Sequence, residues 1–164
     1  MAVEKKFGEV SALHPAGRKA GNYKAGVASI VAIAAEDSNN SIYGVATLPG
    51  DAIITDIRRA NTTVTGGTDY DLGIFRLKGD GTIGDVVSTA AGVMFSETAD
   101  LSTARIRGAE VSAINSLSVA NSNKTLRELA GDDVGNNLYA ICWKANTVGT
   151  AAATLFTDIT YITP

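Results

Sequence analysis

Residues 43–84, YGVATLPGDAIITDIRRANTTVTGGTDYDLGIFRLKGDGTIG, limit the possible folds more than any other stretch, because they lay down three strands and two turns in one run. Ile54, Asp56 and Arg58 fall on one parity and Ile53, Thr55 and Ile57 on the other, as a two-residue period requires. Thr65-Gly66-Gly67-Thr68 supplies a turn. The next run, 71–77, places Leu72 and Ile74 on one face and Phe75 and Leu77 on the other, and ends at a second turn, Lys78-Gly79-Asp80-Gly81. This is an antiparallel β unit.

The chain has 164 residues, enough for one domain that buries roughly two thirds of its unfolded surface without help from disulfides or metal. Its single cysteine, Cys142, excludes an internal disulfide and a CxxC metal pair. The first residues carry no apolar core followed by a cleavage site, so a signal peptide is not expected. The longest apolar run, 25–35, is far short of the roughly 20 residues that span a bilayer, and no membrane partner is expected.

Charge is unevenly placed. Residues 1–24 hold Lys5, Lys6, Arg18, Lys19 and Lys24 against Glu4 and Glu9, leaving +3; nine basic and fifteen acidic residues in the remainder leave −6. Gly8, Pro15, Gly17 and Gly21 break any helix there. Residues 1–24 therefore read as an extended basic arm and 25–164 as the body. A basic arm on an acidic body suits docking on an acidic protein surface or on other copies of the chain; a solvated tail is the bland alternative. So few cations on an acidic body argue against direct nucleic-acid binding.

Along the body, 25–35 reads as a strand interleaved with small residues, fit for close packing against another sheet or subunit, and 42–47 as the next strand. Further strands are expected at 86–87, at 92–95, at 138–145 with Tyr139, Ile141 and Trp143 on one face, and at 153–163 with Leu155, Ile159 and Tyr161 on one parity. Residues 111–119 fit strand or loop, and 100–104 a single turn with an acidic cap. One short helix is expected in 121–130, capped by Asn121 or Ser122, with Leu126 and Leu129 on its inner face and Gly131 past its end. Seven or eight short strands give an all-β fold, an antiparallel β-sandwich of jelly-roll type with one short helix and an extended N-terminal arm.

No reactive constellation emerges. Gly79-Asp80-Gly81-Thr82-Ile83-Gly84 matches GxGxxG, but no apolar helical pattern follows, so it reads as a hairpin loop and no cofactor is expected. Asp69, Asp71 and Asp80 have the spacing of a calcium loop; Ile74 stands where that loop needs glycine and Asp80 is short for the last ligand, so a charged strand entry is favoured and ion binding stays open. The lone histidine, His14, sits beside Pro15 in the arm, and Cys142 reads as a packing residue. Asn39, Asn61 and Asn123 fit the glycosylation acceptor but read more simply as turn and cap residues. Arg58 and Arg59 point to opposite faces of a strand, so one of them is expected to meet an interface or a carboxylate such as Asp56 or Asp71. An enzyme is not expected.

Taken together, LPGDAIITDIRRANTTVTGGTDYDLGIFR, ADLSTAR (99–105), NSNKTLRELAG (121–131) and AAATLFTDITYI near the end resemble capsid decoration, or cement, proteins of tailed bacteriophages. The resemblance implies a small β-sandwich present in many copies on the outer surface of a virion, often as a trimer, with the major capsid protein as partner and no catalysis. On that reading Lys5, Lys6, Phe7, Leu13, Arg18 and Lys19 in the arm bind capsid or neighbouring copies, and Arg58 and Arg59 belong to a subunit interface. A tail or fibre-base subunit and a carbohydrate-binding β-sandwich are the alternatives.

Overall fold

The computed structural model describes residues 3–7, 9–19, 22–87, 93–106, 111–112, 116–132 and 138–164; for 9–19, 22–24 and 111–112 it describes the backbone. The described chain is an all-β, antiparallel sandwich of two sheets. The first sheet contains β1 (Lys5–Phe7), β4 (Ile42–Pro49), β10 (Leu138–Thr147), β6 (Asp69–Leu77) and β7 (Ile83–Val86) in that order, with β8 (Ser96–Ala99) also beside β6. The second runs β2 (Glu9–Lys19), β3 (Asn22–Ile33), β11 (Ala153–Thr163), β5 (Ile53–Asn61) and β9 (Val111–Ser112). All pairings are antiparallel except β1 with β4. Residues 5–7 and 9–19 thus lie at the edges of different sheets, with a single residue between them.

Most of the expected alternation survives. Tyr70, Leu72, Ile74, Tyr139, Ile141 and Trp143 of the first sheet pack between the layers against Val27, Val31, Ile57, Leu155 and Ile159 of the second. Phe75, Ala140 and Cys142, on the opposite parity, form a second buried cluster with Ile42 and Ile83. Short extra strands at the edges raise the number above the seven or eight expected, giving eleven among the described residues.

Three local expectations need correction. The strict parity of β5 fails because Asp56 pairs with Thr160 and Ile54 with Tyr161, which leaves Thr55 as an extra residue. Such a bulge lets Ile54 and Ile57 both face the core. The strand expected at 92–95 begins instead at Ser96: residues 93–95 form a turn and bends, Phe95 N–H donates to Leu72 O at 2.9 Å, and Gly92 lies outside the described residues. The helix α1 (Leu126–Ala130) is capped by Thr125, not by Asn121 or Ser122, which lie in a turn. Thr125 Oγ1 accepts from Glu128 N–H, and Glu128 Oε2 accepts from Thr125 N–H, a reciprocal capping box. Glu128 is held below the usual carboxylate range by these bonds. Leu126 and Leu129 face inward, and Leu126 N–H and Arg127 N–H donate to Ala52 O and Gly50 O, docking the helix on the turn between β4 and β5.

Candidate functional site

The most specific assembly of side chains lies along the edge of β4, where β1 pairs with it. The register sets Lys5 opposite Ile42, Lys6 opposite Tyr43 and Phe7 opposite Gly44. Ile42 N–H donates to Glu4 O at 2.6 Å, and Glu4 N–H to Ser41 Oγ at 3.0 Å. Adjacent residues of a strand face opposite ways, so Lys6 and Phe7 meet different surroundings. Asp37, only 2% exposed, accepts at Oδ2 from the Tyr43 hydroxyl (2.8 Å), from Ala34 N–H (3.0 Å) and from Lys6 Nζ (3.4 Å). Lys6 Nζ also lies 5.5 Å from the centre of the Tyr43 ring. Burial first, then the bond to Asp37, pushes the Tyr43 hydroxyl far above its ordinary value.

Phe7 works on the other side. Any Cβ added at Gly44 would run into its ring, so the absence of a side chain there creates a seat for the aromatic. Cys142 of β10 is paired with Gly44 on one side and with Gly73 of β6 on the other, and the notch at Gly73 is filled by Met94. Cys142 is fully buried within this row, and burial pushes its thiol up, away from the reactive thiolate.

Other sequence candidates fall elsewhere. For Leu13, Arg18 and Lys19 the backbone register is defined: they sit in β2 opposite Val27, Tyr23 and Asn22. His14 is opposite Gly26 in the same strand. Arg58 lies on the outer face of the second sheet, its Nε 2.7 Å from Asp56 Oδ2 in an exposed ion pair. Arg59 turns the opposite way, is 9% exposed, and donates from Nη2 to Asp100 O at 3.1 Å. Burial first, then the charge of Arg105, pulls its guanidinium below its ordinary value. Beside it Asn61 donates to Leu101 O and Thr103 O, so both side chains tether the 100–105 segment. That segment makes bends, with Asp100 Oδ1 accepting from Ser102 N–H at 2.7 Å as the acidic cap expected there.

Asp69 and Asp71 open β6 and both accept from Asn146 Nδ2, while Asp80 lies beyond the strand's other end, capping Thr82 in the hairpin turn. Asp80 is thus the length of a strand away from Asp69 and Asp71, and no group of three or more metal-ligating side chains occurs among the described residues. The GxGxxG segment is that same hairpin, running from β6 into β7. Arg76 Nη2 and the Tyr139 hydroxyl converge on Asp132, at 2.8 and 2.7 Å, just past α1, and burial with this bond lifts Tyr139 to about 12.

The outer face of the second sheet carries a cross-strand row, Ile30, Phe156 and Ala60, forming the floor of a shallow groove of about 640 Å³ edged by Thr62, Arg105 and Ile106. Ile30 is 43% exposed there. Trp143 and three of the tyrosines, Tyr43, Tyr70 and Tyr139, are instead buried between the layers. Sequence reasoning missed the seat at Gly44 and the carboxylate at Asp37. A glycine inside a strand is the signal that another group approaches closely, and YGVATL contains it.

These features define a β-sandwich whose described residues include strand edges and a shallow, partly apolar groove on the outer face of the second sheet. No family model matches this sequence, and no curated protein matches it. Among solved structures it is similar to a chain of the cyanophage Pam1 capsid asymmetric unit, with 13% identity, a TM-score of 0.47 and coverage of 94% of each chain. No helix among the described residues is long and apolar enough to cross a membrane.

Proposed function

We propose that this chain is a virion structural protein that decorates the outer surface of a tailed-phage capsid and stabilises it by binding across neighbouring capsid subunits. The carrying observation is the outer face of β3, β11 and β5, where exposed Ile30 and half-buried Phe156 lie in one row with the buried Ala60, and exposed Ala32 stands beside Ile30. The groove over this row is shallow, open and lined largely by apolar side chains, which suits a segment of a neighbouring protein. Arg58 lies on that face and belongs to the proposed subunit interface, most simply in a trimer, while Arg59, buried on the other side of the strand, supports that face from within by holding Asp100 O. Lys5, Lys6, Phe7, Leu13, Arg18 and Lys19 supply the basic and apolar contacts to the major capsid protein or to neighbouring copies.

The mechanism is thermodynamic. A protein that binds the closed shell and not its dispersed subunits shifts the equilibrium toward the shell by mass action. Each copy needs only a standard interface, on the order of 1,200 to 2,000 Å², because many copies multiply the effect. The burial of Trp143 and three tyrosines disfavours the carbohydrate-binding alternative, which needs aromatic rings in an open groove. Imaging of labelled protein on purified particles distinguishes head from tail: density on the head lattice is expected, and density confined to the tail would overturn the proposal. Replacing Lys5, Arg18 and Lys19 with Ser together is expected to lower head occupancy several-fold, most strongly at low salt, where the charges are least screened.

A further inference from the structure

The edge of β4 is built to receive one particular kind of strand. It offers a backbone ladder at Ile42, a buried carboxylate at Asp37 that takes an ammonium group, and one residue further a glycine seat that takes a flat ring on the opposite face. The matching segment is a basic residue followed directly by an aromatic. Lys6-Phe7 is the one such dipeptide in the 164 residues. Vacating the edge would leave the Asp37 carboxylate with Tyr43 and Ala34 as donors but without its ammonium partner, and would empty the seat at Gly44, the ladder partner of Cys142, so an empty receptor is disfavoured.

The bonds and contacts described for residues 4–7 run to residues 37–44. They would be the same if the segment came from another molecule. One residue separates β1 from β2, which belongs to the opposite sheet, so Lys5–Phe7 can leave the β4 edge while β2 keeps its own ladder to β3. The ladder that must open is three residues long and lies at an edge. From this geometry we infer that the β4 edge is an exchange site, occupied in the assembled state by residues 3–7 of a second copy of this chain. The inference rests on the reading of the protein as one of many copies held close together, where a neighbour's segment competes at high effective concentration. Swapping an identical element then links copies at low cost, because every bond broken within a chain is remade between chains.

Photocrosslinking tests this in solution, independently of any virion. A full-length chain carrying benzoylphenylalanine in place of Phe7 is co-expressed with a heavier, tagged chain that lacks the probe, and the mixture is irradiated. A covalent product containing one chain of each kind, mapped to the β4 edge, is expected; photoproducts confined to single chains would overturn the inference. The second readout is the lone thiol. Phe7→Ala is expected to raise the rate of Cys142 labelling at least tenfold, and a synthetic peptide spanning residues 2–9 to slow it again, whereas the same peptide with Ala at positions 6 and 7 does not. If the native peptide gives no protection, the edge does not accept a strand in trans and the inference fails. Exchange without head binding would sustain this inference while removing the proposed function.

Discussion

The two ends of the chain each contribute one strand to each sheet, yet they occupy opposite places. At the beginning, β1 and β2 lie at the edges and, among the described residues, have a single ladder each, to β4 and β3. At the end, β10 lies between β4 and β6, and β11 between β3 and β5, so the last two strands form the spine of both layers. They are also joined through the core, where Trp143 Nε1–H of β10 donates to Thr157 Oγ1 of β11 at 2.9 Å. The contrast separates two tasks. The centre must close before either sheet is complete, and the edges remain as backbone that can be offered to neighbours.

The largest effect is therefore expected at the centre. Deleting 153–164 leaves β3 and β5 without a common partner, and a chain with no cooperative unfolding transition is the expected result. Trp143→Ala is the milder form: it removes a fully buried ring and leaves Thr157 Oγ1 without its donor, at a cost of about 3 to 5 kcal/mol. Against a total of about 5 to 15 kcal/mol, that is a large share. Urea unfolding followed by circular dichroism checks both, and a loss for Trp143→Ala no greater than for an edge substitution would erase the distinction.

Alkali should act next most strongly, and on the interior first. Tyr43, Tyr70 and Tyr139 are all raised, chiefly by burial, with Tyr139 at about 12 and the other two displaced further in the same direction. An unfolded tyrosine releases its proton near 10, so above that pH the native state holds more protons than the unfolded one and stability falls as pH rises. The stabilising contribution is complete below about 10 and is lost through about 12 and beyond. A melting temperature flat up to the start of that window and dropping steeply within it, together with delayed appearance of the tyrosinate absorbance, is expected; normal titration in the native protein would show that these hydroxyls reach water.

Much of this arrangement is legible in the sequence, and the exceptions have physical causes. The inward parity of Tyr139, Ile141 and Trp143 can be read because both neighbours of β10 bury the same face, and Leu126 and Leu129 mark the inner side of α1. Thr125-Leu126-Arg127-Glu128 carries a capping-box pattern, a stronger signal than the asparagine and serine before it, because two bonds close there at once. The bulge at Thr55 is not legible, since it is fixed by the register against Thr160 and Tyr161, about a hundred residues further on. The central placement of β10 and β11 is non-local for the same reason. At the candidate site, Phe7 and Lys6 stand out by composition, but their partners Gly44 and Asp37 are meaningful only once a parallel ladder brings residues 5 and 42 side by side.

A smaller, local effect is expected at the edge. Gly44→Ala places a methyl group where the Phe7 ring lies, so β1 must shift or leave while the spine stays intact. A loss of about 1 to 2 kcal/mol fits a change confined to three ladder residues. Cys142 should label faster although the unfolding transition remains cooperative. Combining it with Phe7→Ala should cost less than the sum of the two, because the second substitution removes the clash created by the first. Strict additivity would mean that the ring and the glycine do not share a seat.

The smallest effect on stability should come from Arg58→Ala, and it tests whether edge and face serve the same end. The Arg58–Asp56 pair is exposed, with side chains 54% and 34% accessible, so its loss should shift unfolding by no more than about 0.5 kcal/mol. If the outer face of β3, β11 and β5 is where copies meet, the same substitution should weaken self-association measured by light scattering, because a charge desolvated in an interface counts for more than one in water. An association constant unchanged by Arg58→Ala, but lowered by Phe7→Ala, would assign contact between copies to the strand edge and leave the sheet face to the capsid.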